Sequence, residues 1–166
     1  MTLTTIRQRF AERFDRYEKR YRSYARMRGF GPQINDWPYH RRGFIECWAA
    51  PGFHRFWQIW NPGISYFVFR LFILLGGSRR WVGPTILSFI ICGVVHTLLV
   101  APFFGRWSFS VITAFTCFGL LTVISRYTAA YLRQDNWPVA ANVVVNVTLV
   151  AGSFDLGFRL DRILGF

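Results

Sequence analysis

The chain has 166 residues, of which 52% are hydrophobic and 19% aromatic, and a formal net charge of +12. Apolar runs near bilayer length exclude an ordinary soluble domain and describe an all-α integral membrane protein. The three cysteines, Cys47, Cys92 and Cys117, form no C-x-x-C pair, which argues against a disulfide framework or a zinc site.

Residues 1–28 read as a basic amphipathic helix. Phe10, Phe14, Tyr17, Tyr21 and Tyr24 recur at alternating steps of four and three, which places an aromatic stripe on one helical face, and arginines with Lys19 fill the remainder. Such a helix either lies on an anionic leaflet or offers a basic surface to a polyphosphate such as coenzyme A, or it packs its stripe on a partner or on the protein's own cytoplasmic face. Twelve of the 20 Lys and Arg residues precede Asn61, so the positive-inside tendency puts this end in the cytoplasm, with the membrane expected to be a bacterial inner membrane. No secretory signal is expected, because no apolar core follows the first charges. The basic segment carries no DNA- or RNA-binding motif, so nucleic acid is not an expected partner.

Residues 29–63 are rich in Pro, Gly, Trp and His and read as an aromatic-anchored cytoplasmic surface layer. The membrane domain follows, from 64 to 166. The run Ile64–Leu75 is short and carries Arg70, which favours a half-embedded helix over a span, although a fourth crossing stays open. Gly76-Gly77 ends it. Pro84–Phe104 would rise about 31 Å, close to the roughly 30 Å hydrocarbon core. Further spans are expected from Ser108 to Leu132 and from Pro138 to Phe158. Asn146-Val147-Thr148 matches a glycosylation sequon by chance, since it falls at mid-span.

Within Pro84–Phe104 the only ionisable side chains are Cys92 and His96. An intramembrane histidine is costly and marks a functional hypothesis. Thr85, Ser88, Cys92 and His96 share one helical face; Ser110, Thr113 and Cys117, then Asn142 and Asn146, repeat the pattern on the next two helices. Two readings follow: a shared polar interior, or small and hydroxyl residues that let membrane helices pack closely. A bis-histidine haem site lacks a second intramembrane histidine, because His40 and His54 lie outside the spans. Asp155 and Arg159 are spaced for an interfacial ion pair, and no acidic residue occurs between Glu46 and Asp135 to support a proton relay.

The stretch Phe56-Trp57-Gln58-Ile59-Trp60-Asn61, followed by Arg70, Leu75-Gly76-Gly77-Ser78-Arg79 and the His96 helix, resembles the signature of the membrane-bound O-acyltransferase family over about Phe53 to Phe104. Val95 and Thr97 flank the histidine where many relatives carry Trp and Gly. The resemblance implies acyl transfer from acyl-CoA or another thioester donor to a hydroxyl acceptor, with no bound cofactor or metal. It makes His96 the general base and Asn61 the donor-positioning or oxyanion-stabilising amide. Arg55, Arg79 and Arg80 would hold coenzyme A phosphates, Trp57 and Trp60 would frame the mouth, and Ser88 and Cys92 would line the path to His96. The chain is much shorter than members of that family, so another membrane subunit or a homo-oligomer is expected to complete the site within the lipid bilayer. The alternative is a non-catalytic membrane subunit that keeps the scaffold and docks on a larger complex.

Overall fold

The computed structural model describes residue 12 and residues 16–26, 37–104 and 108–165, and among these all regular structure is helical. α1 covers 16–26, α2 Trp37–Glu46, α3 Phe53–Ile59, α4 Pro62–Leu74, α5 Val82–Phe104, α6 Ser110–Tyr131 and α7 Val139–Leu164; short 3-10 turns lie at Cys47–Ala49 and Gln134–Asn136. Three helices, α5, α6 and α7, are long and apolar enough to cross a membrane. α4 has 13 residues and rises about 19 Å, well short of a hydrocarbon core.

α7 continues past the expected end at Phe158 to Leu164. Its polar last turns are held by the Arg159–Asp155 ion pair at 2.7 Å and closed by Gly165 in the left-handed region at φ 79°. The extension matters for the bundle. Asp161 reaches the start of α6, where its carboxylate accepts the Ser108 hydroxyl, the Phe109 N–H at 2.8 Å and the Ser110 N–H at 3.2 Å. A carboxylate at a helix N-terminus satisfies orphan amides and meets the positive end of the dipole. One turn earlier on α7, a Cβ added at Gly157 would stand 2.4 Å from the Ser110 carbonyl oxygen, so the two backbones meet only because this residue is glycine.

α6 packs against both α5 and α7, and α3 lies along it. The segment from Cys47 to Trp60 departs from its expected role as a surface layer. Cys47, Phe53 and Phe56 are buried in one cluster with Phe89 and Cys92 of α5 and Ala114, Phe115 and Phe118 of α6. Trp57 packs within 5.2 Å of Phe89 and 4.9 Å of Phe118, measured between ring centroids. A single polar residue anchors this insertion to the last span: the amide of Asn146 donates to the carbonyls of Trp48 and Ala50, both at 2.9 Å. Aromatic rings supply the contact area, and Asn146 meets backbone groups that no regular ladder satisfies.

The aromatic stripe of α1 packs on the protein itself. Tyr21, Tyr24 and Ala25 are buried with Tyr66 of α4, and Phe69 packs beside them; Phe10 and Phe14 of the same stripe lie outside the described residues. Ser65 donates to the Trp57 carbonyl at 3.3 Å, which leaves its oxygen to accept from Tyr24 at 2.9 Å. One hydroxyl pair thereby ties α1, α4 and α3 together.

Candidate functional site

Several hydroxyls on the described spans bond back to their own helices instead of to one another. Thr85 donates to the carbonyl of Trp81 and Ser88 to that of Pro84, both at 2.7 Å, and Thr116 and Ser153 bond the same way one turn back on their own helices. Such back-bonding satisfies a hydroxyl without a neighbour. The core is largely aromatic among the described residues, and one of its open volumes is an elongated chamber.

The chamber measures about 190 Å³ and lies among α3, α4, α5 and α6. From Trp81 through Thr85 and Ser88 to Cys92 its wall follows α5, and from Arg126 through Thr122 to Phe115 it follows α6 in the opposite direction. Eleven residues of helical rise make this path roughly 16 Å long. Val68, Phe69 and Phe72 of α4 form the opposite wall, with Trp57 and Trp60 at the base of α4. Polar groups gather toward one end. The Arg126 guanidinium lies 4.6 Å from the centre of the Trp81 ring, a cation–π contact. The Ser125 hydroxyl oxygen accepts the His54 backbone N–H at 3.3 Å and lies 3.2 Å from Nδ1 of the same residue. Partial burial, then the positive charges of Arg55 and Arg126, push the His54 imidazole below its ordinary pKa, against a smaller opposing pull from Asp135. The ring therefore favours its neutral form. Gln58, one turn along α3, also lines the chamber, and buried Trp57 Nε1 and Thr122 Oγ1 have no protein partner.

Of the residues singled out in the sequence, Trp57, Trp60, Ser88 and Cys92 come together on this chamber. Asn61 and His96 lie outside its lining. Asn61 adopts a left-handed conformation, φ 41°, and caps α4 by accepting the Ile64 N–H at 3.3 Å. That role suits asparagine, which tolerates the left-handed region and caps helices well. His96 is half-buried behind the chamber's inner end. Its Nδ1 lies 2.7 Å from the Cys92 carbonyl, and its ring lies 4.7 Å from the ring of Phe115, a chamber residue. A carbonyl only accepts, so Nδ1 carries the proton and Nε2 holds the lone pair of the neutral ring.

The arginines divide. Arg55 pairs with Asp135, whereas Arg79 and Arg80 are exposed in the turn before α5. The Leu-Gly-Gly turn has its own structural account: the Gly77 N–H bonds to the Phe72 carbonyl at 2.9 Å and the Gly76 N–H to that of Ile73 at 3.0 Å, with Gly76 at φ 84°. These paired bonds are the Schellman closure of α4, which requires a residue at ease in the left-handed region. His54, Gln58, Trp81, Thr122 and Arg126 complete the chamber without having stood out in the sequence. A signal was present for the first two: His54, Trp57 and Gln58 are spaced by three and four, hence on one helical face.

No family model matches the chain, and neither curated proteins nor solved structures include a detectable relative.

Proposed function

We propose that this membrane protein holds the acyl tail of an amphiphile in the chamber, with the polar head at the His54, Gln58 and Arg126 end. The grading of the chamber carries this reading, from a cationic and hydrogen-bonding end near Trp81 to an aromatic and thiol-lined end at Cys92 and Phe115. Its volume is below the roughly 300 Å³ at which drug-sized pockets begin, which favours one flexible chain over a ring system. Arg126 offers a charge-assisted donor to an anionic or ester head, and Trp57 Nε1 and Thr122 Oγ1 offer polar contacts along the path.

A diazirine-labelled fatty acyl probe tests the reading in the protein reconstituted in lipid nanodiscs. Crosslinks are expected on Val68, Phe89 and Cys92, and Val68→Trp, which fills the chamber, is expected to reduce them by about tenfold, as for loss of a well-fitted apolar contact set. Equal labelling of the outward residues of α7, unaffected by Val68→Trp, overturns it.

A second step on the same tail, acyl transfer from a thioester to a hydroxyl, rests on the Nε2 lone pair that the Nδ1–Cys92 contact leaves on His96, one turn beyond the chamber's inner end. In this reading Nε2 takes the proton of the acceptor hydroxyl as its oxygen attacks the thioester carbonyl; the carbon–sulfur bond then breaks, and the sulfur takes that proton from Nε2 and leaves as the thiol. Asn61 keeps an amide NH₂ for the donor while its oxygen caps α4, and the outward face of α5 beside Val94 and Val95 takes a further membrane chain that completes the wall. Acyl-CoA hydrolysis and transfer by wild type and His96→Ala form the test. Activity is expected to fall by about 10²-fold or more in the variant, the scale of general-base loss. Equal rates remove the catalytic step and leave the crosslinking result standing.

A further inference from the structure

Arg70 is the unexplained residue of α4, a cation between Phe69 and Leu71 in an otherwise apolar helix. The fold gives it company of the same sign. Arg70 of α4 and Arg16 and Arg20 of α1 line one concavity of about 380 Å³, with Tyr17 as its fourth wall. Arg16 and Arg20 stand one turn apart on a helix, where like charges repel. None of the three is paired with a carboxylate among the described residues: Arg16 Nε donates to the backbone carbonyl of Glu12 at 3.3 Å, and Arg70 reaches only the Tyr66 hydroxyl, at 3.5 Å. Glu18 of α1 is occupied by Arg22 at 2.9 Å, and Glu12, one turn before Arg16, meets it through its backbone carbonyl and not as an ion pair. Asp15 lies outside the described residues.

We infer that Arg16, Arg20 and Arg70 form a phosphate-binding site. Each guanidinium carries five N–H donors in a planar fork that matches phosphate oxygens, and these three retain most of theirs. A phosphate monoester or diester converts the mutual repulsion of three cations into charge-assisted hydrogen bonds. Position favours a phospholipid headgroup as the source. Arg70 stands about one turn from the end of α4, which leads directly into the exposed Arg79-Arg80 turn and Trp81, a basic and aromatic level of the kind found at headgroup depth. A soluble phosphate ester presents the same chemistry. The site is separate from the chamber, so it stands whether or not the acyl reading does.

The test uses the full chain in nanodiscs of phosphatidylcholine doped with phosphatidic acid, released into neutral detergent for native mass spectrometry. Arg16→Gln/Arg20→Gln/Arg70→Gln is compared with Arg26→Gln/Arg41→Gln/Arg133→Gln, which removes the same charge from elsewhere. Retained phosphatidic acid is expected to fall by about tenfold in the site variant and by less than about twofold in the control, since directed forks outweigh general screening-sensitive attraction. The all-lysine site variant, which keeps the charge and the fold, is expected to show an intermediate loss because it lacks the forks. Equal losses in the two glutamine variants, or no loss in the lysine variant, overturn the site. Thermal stabilisation of wild type by glycerol 3-phosphate alone, absent in the site variant, assigns the soluble ester; stabilisation only in phosphatidic acid discs assigns the lipid.

Discussion

The segment Cys47–Trp60 and the span α7 exchange the roles that their sequences suggest. The first is short, punctuated by Pro51 and Gly52 and flanked by charge, yet Phe53 is 1% exposed at the centre of the molecule. The second is a long apolar helix, yet only 17% of its most apolar window is buried within the chain, and Val144 is 63% exposed. The difference shows that hydrophobicity here records two solvents. Val and Leu on α7 face lipid, which asks only for apolar surface, whereas the inserted segment faces protein, which asks for shape. Phe, Trp, Cys and Gly meet that second demand, assisted by Asn146.

The sharpest way to break this contrast is to truncate one residue of each kind. Phe53→Ala is expected to cost about 3–5 kcal/mol, the usual loss for a buried aromatic, while Val144→Ala costs less than about 0.5 kcal/mol because lipid fills the space it leaves. Reversible unfolding in mixed micelles measures both, and comparable losses would mean that the insertion is not the core. Next in size, Asn146→Leu preserves volume but strands the Trp48 and Ala50 carbonyls. It is expected to cost about 2–3 kcal/mol and to raise proteolytic cleavage around Pro51, consistent with unsatisfied buried acceptors. Unchanged cleavage would show that aromatic packing alone holds the segment in place.

The smallest effect is electrostatic. The folded-state pKa of His54 lies below its ordinary value of about 6.5, so the fold prefers the neutral ring. Its contribution to stability is complete above the unfolded-state pKa and is lost as pH falls from there through the folded-state value. Wild type is therefore expected to lose more stability than His54→Gln between about pH 7.5 and pH 5. Parallel pH profiles would show that burial and the neighbouring Arg55 and Arg126 do not favour neutral His54.

The three spans were legible because a bilayer imposes length and composition on any helix that crosses it, and the α1 stripe was legible as a packing face through its periodicity. Ends were harder to read. α7 outlasts its apolar run because Asp155, Arg159 and Asp161 each find a partner in three dimensions, and Asp161 finds its own on the far side of a loop. The chamber was visible only in part. Trp57, Trp60, Ser88 and Cys92 carried recognisable patterns, but His54 and Arg126 are far apart in the chain and become neighbours of one cavity only after α3 folds back along α6. Asn61 illustrates the opposite case: a residue singled out for chemistry has an evident structural duty as the cap of α4.

The Asn146 bridge also sets an order of events on the ribosome. The carbonyls it binds precede it by 98 and 96 residues, so the inner element is made well before its anchor. Until α7 enters the bilayer, the Trp48 and Ala50 carbonyls have water as their alternative partner, which keeps that loop at the aqueous boundary while α5 and α6 insert. Joining of α7 to the bundle is thus the step that brings the Asn146 amide to the aromatic segment. A chain held before α7 joins the bundle would lack the bridge, and the Trp48 and Ala50 carbonyls would keep water as their partner.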